Sequence, residues 1–197
     1  ADEGMWLPLF IERLNNVDLQ TQGCHLTPQE IYSVNNASLK DAIIQFGGGC
    51  TGEVVSSNGL IFTNHHCGFG SIQSLSSVDH DYLTNGFWAY RLQEELPVEG
   101  LTARFLVSIS DVTASALADL KMIMSEDARN AQIRSNIAKI EKNAVSGKGQ
   151  EARVASFFNG NEYYLFIYKV YRDVRLVGTP PVSIGKFGGD TDNWMWP

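Results

Sequence analysis

Cys50 and Cys67 bracket two short apolar-rich runs, 53–57 and 60–64, that are joined by Asn58-Gly59. Asn-Gly adopts the positive φ values of a type I′ turn more readily than other dipeptides, so the segment predicts a β-hairpin. Cys50 then precedes the first strand and Cys67 ends the second, which sets the thiols opposite each other across the open end. A bridge there is sterically feasible. It would stabilise the fold by about 3 kcal/mol in the chain-entropy treatment and would fix the strand end. That strand end reads Thr63-Asn64-His65-His66-Cys67. Successive side chains on a strand point to opposite faces, so His65 and His66 are not expected to serve one site. A neutral imidazole held rigidly is a candidate general base; the competing reading makes both histidines ordinary strand-end residues.

At 197 residues, 44% hydrophobic and 11% aromatic, the chain is long enough for one substantial core or two small ones. Its net charge of −7, without a cluster of Lys and Arg, argues against nucleic acid or an anionic membrane as partner. No run approaches the roughly 18 uninterrupted apolar residues of a membrane helix. The start, Ala1-Asp2-Glu3-Gly4, lacks the basic and apolar regions of a signal peptide. It suits a mature chain from which a signal peptide has been removed, in keeping with a disulfide and an oxidising compartment. Pairing Cys50 with Cys67 leaves Cys24, which is expected to be a buried, unreactive thiol.

Leu7, Phe10, Ile11 and Leu14 follow helical spacing and predict a first helix. Thr27-Pro28-Gln29-Glu30 predicts a short second one, with a capping Thr, Pro at the first position and an acid in the first turn. Asp41 to Phe46 reads as a strand leading into Gly47-Gly48-Gly49. Beyond Cys67, Gly68-Phe69-Gly70 reads as a loop and Ser71 to Ser77 as a helical turn. Asp79-His80-Asp81 has zinc-type donors, but it lacks a second ligand pair at helical spacing, so no metal is expected. Leu117, Leu120 and Met124, then Ile133, Ile137 and Ile140, predict helix over 113–145, in one piece or two. A β pattern returns with Val154 to Phe158, a second Asn-Gly turn at Asn159-Gly160, and Tyr163 to Val170, and Arg172 to Val177 continues it. The expected class is mainly β with a helical insertion, α+β, without internal repeats.

The C-terminal segment from Gly185 to Pro197 is glycine-rich, acidic and aromatic, and reads as a shaped loop. Gly185-Lys186 lacks the spacing of a phosphate loop, so no nucleotide or other cofactor is expected. Two tryptophans in such a loop are either core anchors or walls of a pocket.

Several segments together carry a resemblance. Thr-Asn-His-His-Cys looks like the T-A-A-H-C segment in which chymotrypsin-like serine peptidases place their base just before a bridged cysteine. Gly-Gly-Cys-Thr-Gly-Glu at 48–53, Thr-Asn-His-His-Cys-Gly at 63–68, Asp81-Tyr82-Leu83 with Gly86-Phe87, Glu94-Glu95-Leu96-Pro97, and Gly-Gly-Asp-Thr-Asp-Asn-Trp-Met-Trp-Pro at 188–197 resemble the bacterial dipeptidyl-peptidase 7 and 11 family. The likeness runs from Met5-Trp6 to Pro197. It implies a periplasmic, homodimeric serine exopeptidase with a chymotrypsin-like double β-barrel and a helical domain. Such an enzyme releases dipeptides from oligopeptides with a free N-terminus and needs no cofactor.

Position by position, the resemblance implies His66 as general base, the Cys50–Cys67 bridge behind it, and Asn193 and Trp194 holding the substrate's terminal ammonium. An Asn carbonyl oxygen and an indole face suit that ammonium chemically. Two features of the family are missing here. Its triad acid lies beyond the Trp-Met-Trp-Pro run and its serine nearer the far C-terminus, so Asp190 and Asp192 align with the loop before Asn193 instead. The expectation is therefore the N-terminal part of the catalytic domain, residues 1–197 with the helical insertion, inactive until the remaining portion of the same enzyme supplies acid and serine. A hydrophobic residue before the cut is preferred from Gly47-Gly48-Gly49 and Trp194-Met195-Trp196. The alternatives are the acid-specific branch, a chymotrypsin-type endopeptidase, a non-catalytic peptide-binding domain and a zinc-binding module.

Overall fold

Three antiparallel strands account for the segment around the two cysteines. In the computed structural model, which describes residues 8–14, 16–33 and 36–185, they are β1 (Ile43–Phe46), β2 (Cys50–Val54) and β3 (Ile61–Thr63). Before them come α1 (Ile11–Leu14), α2 (Asn16–Thr21) and α3 (Pro28–Ile31). After them come α4 (His65–Leu75), α5 (Tyr82–Asn85), β4 (Phe87–Trp88), β5 (Leu96–Pro97) and β6 (Ala103–Asp111). The chain continues through α6 (Thr113–Ala116), α7 (Glu126–Ala144), β7 (Gln150–Phe157), β8 (Glu162–Tyr171), β9 (Arg175–Leu176), β10 (Gly178–Thr179) and α8 (Val182–Gly185). Mixed helix and antiparallel strand is thus the observed class. The chain divides into two units: Ala1–Ala42 with Phe105–Val170, and Ile43–Arg104 with Tyr171–Pro197.

In the unit that holds the cysteines, β1 pairs with β2, opposing Phe46 to Cys50, and β2 pairs with β3, opposing Gly52 to Thr63 and Val54 to Ile61. Ala103 and Arg104 at the start of β6 pair on the other side of β1. Ile44 and Phe46 alternate inward along β1, and Ile72 of α4, Val98 and Ala103 are also buried. Gly52 is obligatory in this packing, since a Cβ there would meet Ile61 Cγ2 at 2.8 Å and Phe62 O at 3.2 Å. Two short ribbons, β4 with β10 and β5 with β9, complete the unit. Of the strand expected over 172–177 only β9 forms, and β10 follows beyond it.

The other unit packs α6 and α7 against the order β6-β8-β7. Its core is Ala116, Ile133 and Tyr163, with Leu117, Leu120, Ile137, Ile140 and Val154 around them, so the predicted isoleucine stripe does face inward. Ser125 caps α7 by accepting the Ala128 N–H, with Glu126 and Asp127 in the first turn and Lys142 in the last. Asn136 lies buried in the middle of α7. Its Nδ2 donates to Ala116 O at 3.1 Å and Ala118 O at 2.8 Å, which satisfies carbonyls at the end of α6 that lack helical partners. Glu141 accepts the Val154 N–H and so fastens α7 to β7. The β7–β8 hairpin turns through Asn159 and Gly160, both at positive φ, where the sequence places its second Asn-Gly. Of the helix expected over 113–145 only α6 and α7 form, and Leu117, Leu120 and Met124 lie in the non-helical stretch between them; the Thr27 to Glu30 start is a full capping box on α3.

Four expectations are corrected. The first hairpin has no two-residue I′ turn: Gly59 donates to Ser56 O, and Gly59 is at φ 82° while Asn58 is not at positive φ. The loop is four residues long because Ser56 Oγ accepts the Leu60 N–H and makes the reversal itself. The histidines lie in the first turn of α4 instead of at a strand end, and the loop expected at Gly68-Phe69-Gly70 is inside that helix. Each glycine costs a helix about 1 kcal/mol, and burial of Ile72 together with the covalent anchor at Cys67 outweighs it. Strand β6 carries no turn punctuation in the sequence and was not anticipated. Cys24 is free, as expected, but half-buried instead of fully buried.

Candidate active site

Strand β3 delivers the chain to Asn64, whose extended backbone (φ −67°, ψ 145°) starts α4 with His65 and His66 in its first turn. Thr63 Oγ1 donates to Thr51 O at 2.7 Å and pins the end of β3 to β2. Cys67 then bonds to Cys50, with Cα atoms 6.0 Å apart, so the helix start is tied covalently to the start of β2. The sequence reading of a bridge at the open end of the hairpin holds, although its second anchor lies on a helix.

Adjacent residues of a helix diverge by about 100°, so the two imidazoles still face different ways, by helical instead of strand geometry. His65 turns inward. Its ring meets Phe69, four residues on, edge-to-face at 5.9 Å, and both ring nitrogens are shielded without a hydrogen-bond partner among the described residues. His66 is exposed, and one of its ring nitrogens lies within 4.8 Å of both bridge sulfurs. An exposed imidazole on a covalently fixed helix start can exchange a proton with a bound group, whereas a shielded one cannot do so without rearrangement.

Cys50, His66 and Cys67 form a compact set of metal-type donors, but both sulfurs are consumed by the bridge. One imidazole remains, where a structural zinc requires about four ligands. Of the Asp79-His80-Asp81 donors, Asp81 Oδ1 accepts the Thr84 N–H at 2.9 Å and caps α5, and the His80 ring stacks on Tyr82. Hydrogen bonding from the Thr84 side chain, and then from its N–H, holds the Asp81 carboxyl below the usual carboxylate range. Asp190, Asp192, Asn193 and Trp194 lie outside the described residues.

An open groove of about 440 Å³ runs beside this region and is lined by Gly47, Gly48, Ser71 of α4, Leu101, Thr102 and Arg104. Arg104 is a residue that sequence reasoning missed. Its one signal was a lone cation in the otherwise apolar and small-residue run Leu101 to Val107.

With this geometry in view, the comparisons with known proteins are specific. The family model described as Peptidase S46 matches residues 1–197, and the chain belongs to that family. It is 53% identical over 98% of its length to an Asp/Glu-specific dipeptidyl-peptidase of Flavobacterium psychrophilum, covering 27% of that protein. It is 51% identical over its whole length to a dipeptidyl-peptidase 7 of Capnocytophaga gingivalis, covering 28% of it. Among solved structures, Porphyromonas endodontalis DPP11 in complex with the dipeptide Arg-Glu superposes with a TM-score of 0.85 at 44% identity, over all of this chain and 29% of that one. The chain thus spans little more than a quarter of the length of the curated relatives it matches.

Proposed function

We propose that this chain is the N-terminal part of a serine-type dipeptidyl peptidase of acid-specific preference, with His66 as general base. The observation that carries the reading is the exposed His66 on a bridged helix start, within a chain that matches the Peptidase S46 family along its whole length. In this mechanism the neutral imidazole takes the proton of a serine hydroxyl as the oxygen attacks the scissile carbonyl. It then returns the proton to the departing amine. The serine, the acid that orients His66 and the oxyanion donors come from the remaining polypeptide, and the complete catalytic domain is a chymotrypsin-like double β-barrel. Asn193 and Trp194 hold the substrate's terminal ammonium, which measures the cut at the second residue.

The preference for Asp or Glu before the cut replaces the hydrophobic preference drawn from the glycine turn and the Trp-Met-Trp run. It is supported by the Asp/Glu-specific relative at 53% identity and by solved relatives holding Arg-Glu and Arg-Asp. The periplasm as location and a homodimer as assembly belong to the same proposal. Among the described residues, no helix is long and apolar enough to cross a membrane.

The test uses the complete protein and matched peptides with Glu or Leu at the second position, each with a free or an acetylated N-terminus. Release of the dipeptide from the free Glu peptide, and loss of cleavage on acetylation, is expected. His66→Ala should lower kcat by about four orders of magnitude. Unchanged cleavage of the acetylated peptide would indicate an endopeptidase, and full activity of His66→Ala would leave a peptide-binding domain.

A further inference from the structure

We propose that Arg104 is a positioning residue for His66, acting through Gly47 and the Cys50–Cys67 bridge; the inference rests on the reading of His66 as the base. Gly47-Gly48-Gly49 joins β1 to β2 without a single side chain to hold its conformation, and glycine loses more conformational freedom on folding than any other residue. The turn is instead fixed from outside. Gly47 N–H donates to Thr102 O at 2.8 Å, and Arg104 Nη1 donates to Gly47 O at 3.0 Å. Both backbone polar groups of Gly47 are therefore held by residues 102–104.

The clamp is itself anchored. Nη1 also donates to Oγ1 of the buried Thr102 at 2.7 Å, and the Arg104 backbone pairs opposite Gln45 on β1. Gly47 sits at φ 57° with Leu101 Cδ1 only 3.2 Å from where a Cβ would lie, so the turn is pressed onto the segment that carries the arginine. Three residues on, Cys50 starts β2 and hands the position across its disulfide to Cys67, the neighbour of His66. A planar guanidinium can serve two acceptors in a fixed geometry, which the point charge of a lysine does less well.

The experiment compares Arg104→Met and Arg104→Lys in the complete protein, alone and in a Cys50→Ala/Cys67→Ala background, with His66→Ala alongside. Steady-state cleavage and amide hydrogen exchange are measured on each. Arg104→Met is expected to lower kcat about tenfold with KM within about twofold, because a misplaced base slows chemistry more than binding. Arg104→Lys should recover part of the loss. In the bridge-free background Arg104→Met should add little, since its route to His66 is already cut. Exchange should rise from Gly47 through to the first turn of α4.

An unchanged kcat in Arg104→Met would overturn the proposal, as would a full tenfold loss persisting without the bridge. Faster exchange confined to 47–49 would do the same, and it also decides the matter if the bridge-free variant does not fold. An active His66→Ala, or a complete protein that releases no dipeptide, would defeat the peptidase reading instead; the exchange measurement would still show whether Arg104 holds α4.

Discussion

Asn136 offers the sharpest test of the packing between α6 and α7. It is 6% exposed and donates both amide protons to main-chain carbonyls, while its Oδ1 accepts from Gln132 Nε2 at 3.0 Å. Asn136→Leu keeps the branching of the side chain, is somewhat larger, and removes both donors. Ala116 is fully buried, so its carbonyl bears the whole cost of losing its donor, whereas the Ala118 carbonyl is part-buried and can recruit water. At about 1–3 kcal/mol for a fully buried orphan and less for a wetted one, the sum is about 2–3 kcal/mol after the added apolar contact is credited.

Asn136→Asp is the complementary probe. The carboxylate oxygen that replaces Nδ2 would face both carbonyl oxygens, while the other keeps the Gln132 amide, so an ionised Asp should be less stable than Asn136→Leu at neutral pH. The folded protein then disfavours the charged form, which raises the folded pKa above the unfolded value of about 3.9. A raised folded pKa in an acid means a penalty present at high pH and relieved as pH falls through it. Stability relative to the parent should therefore recover on acidification. Urea unfolding monitored by far-ultraviolet circular dichroism at several pH values would measure both. Asn136→Leu within about 0.5 kcal/mol of the parent, or Asn136→Asp no worse than Asn136→Leu at neutral pH, would refute the bonding described.

Other expectations are more local. Removing the bridge with Cys50→Ala/Cys67→Ala should cost about 3 kcal/mol in denaturant unfolding, since it frees the short loop between β2 and α4 in the unfolded chain. Gly52→Ala should destabilise by about 1–3 kcal/mol, because its Cβ would collide with Ile61 and the Phe62 carbonyl. Gly48→Ala, with nothing within 4 Å of an added Cβ, should stay within about 0.5 kcal/mol of the parent in the same melt. Asp81 caps α5 with its carboxyl pKa lowered by the Thr84 hydrogen bonds, so its contribution is present above the unfolded pKa and lost as pH falls through the folded one. Carbon-detected NMR should find Asp81 titrating below an ordinary aspartate, and Thr84→Pro, which removes both the hydroxyl and the donor N–H, should raise it.

Much of the local architecture was legible where the signal lies within a few residues. The capping box at Thr27 to Glu30, the Asn159-Gly160 turn and the isoleucine stripe of α7 are short-range patterns, and each forms as read. The pairing of Cys50 with Cys67 was legible too, because a hairpin brings its two ends together whatever lies elsewhere. Helix α4 was hidden, since Gly68 and Gly70 argue for a loop and only the bridge and the burial of Ile72 reverse that preference. The I′ turn failed for a similar reason: the Ser56 hydroxyl supplies a competing local bond that a dipeptide rule does not weigh.

The division follows the range of the forces. Sequence by itself determined the bridged hairpin, the adjacent histidines and the helical segment between strands, because hydrogen bonds and turns of a few residues suffice to specify them. It also carried the resemblance to dipeptidyl peptidases, which the family match confirms at the level of Peptidase S46. Tertiary structure decided which histidine is exposed, because His65 finds Phe69 only once a helix places residues four apart on one face. It also decided what holds the glycine turn, since Arg104 reaches Gly47 across 57 residues of chain and no local pattern records that contact.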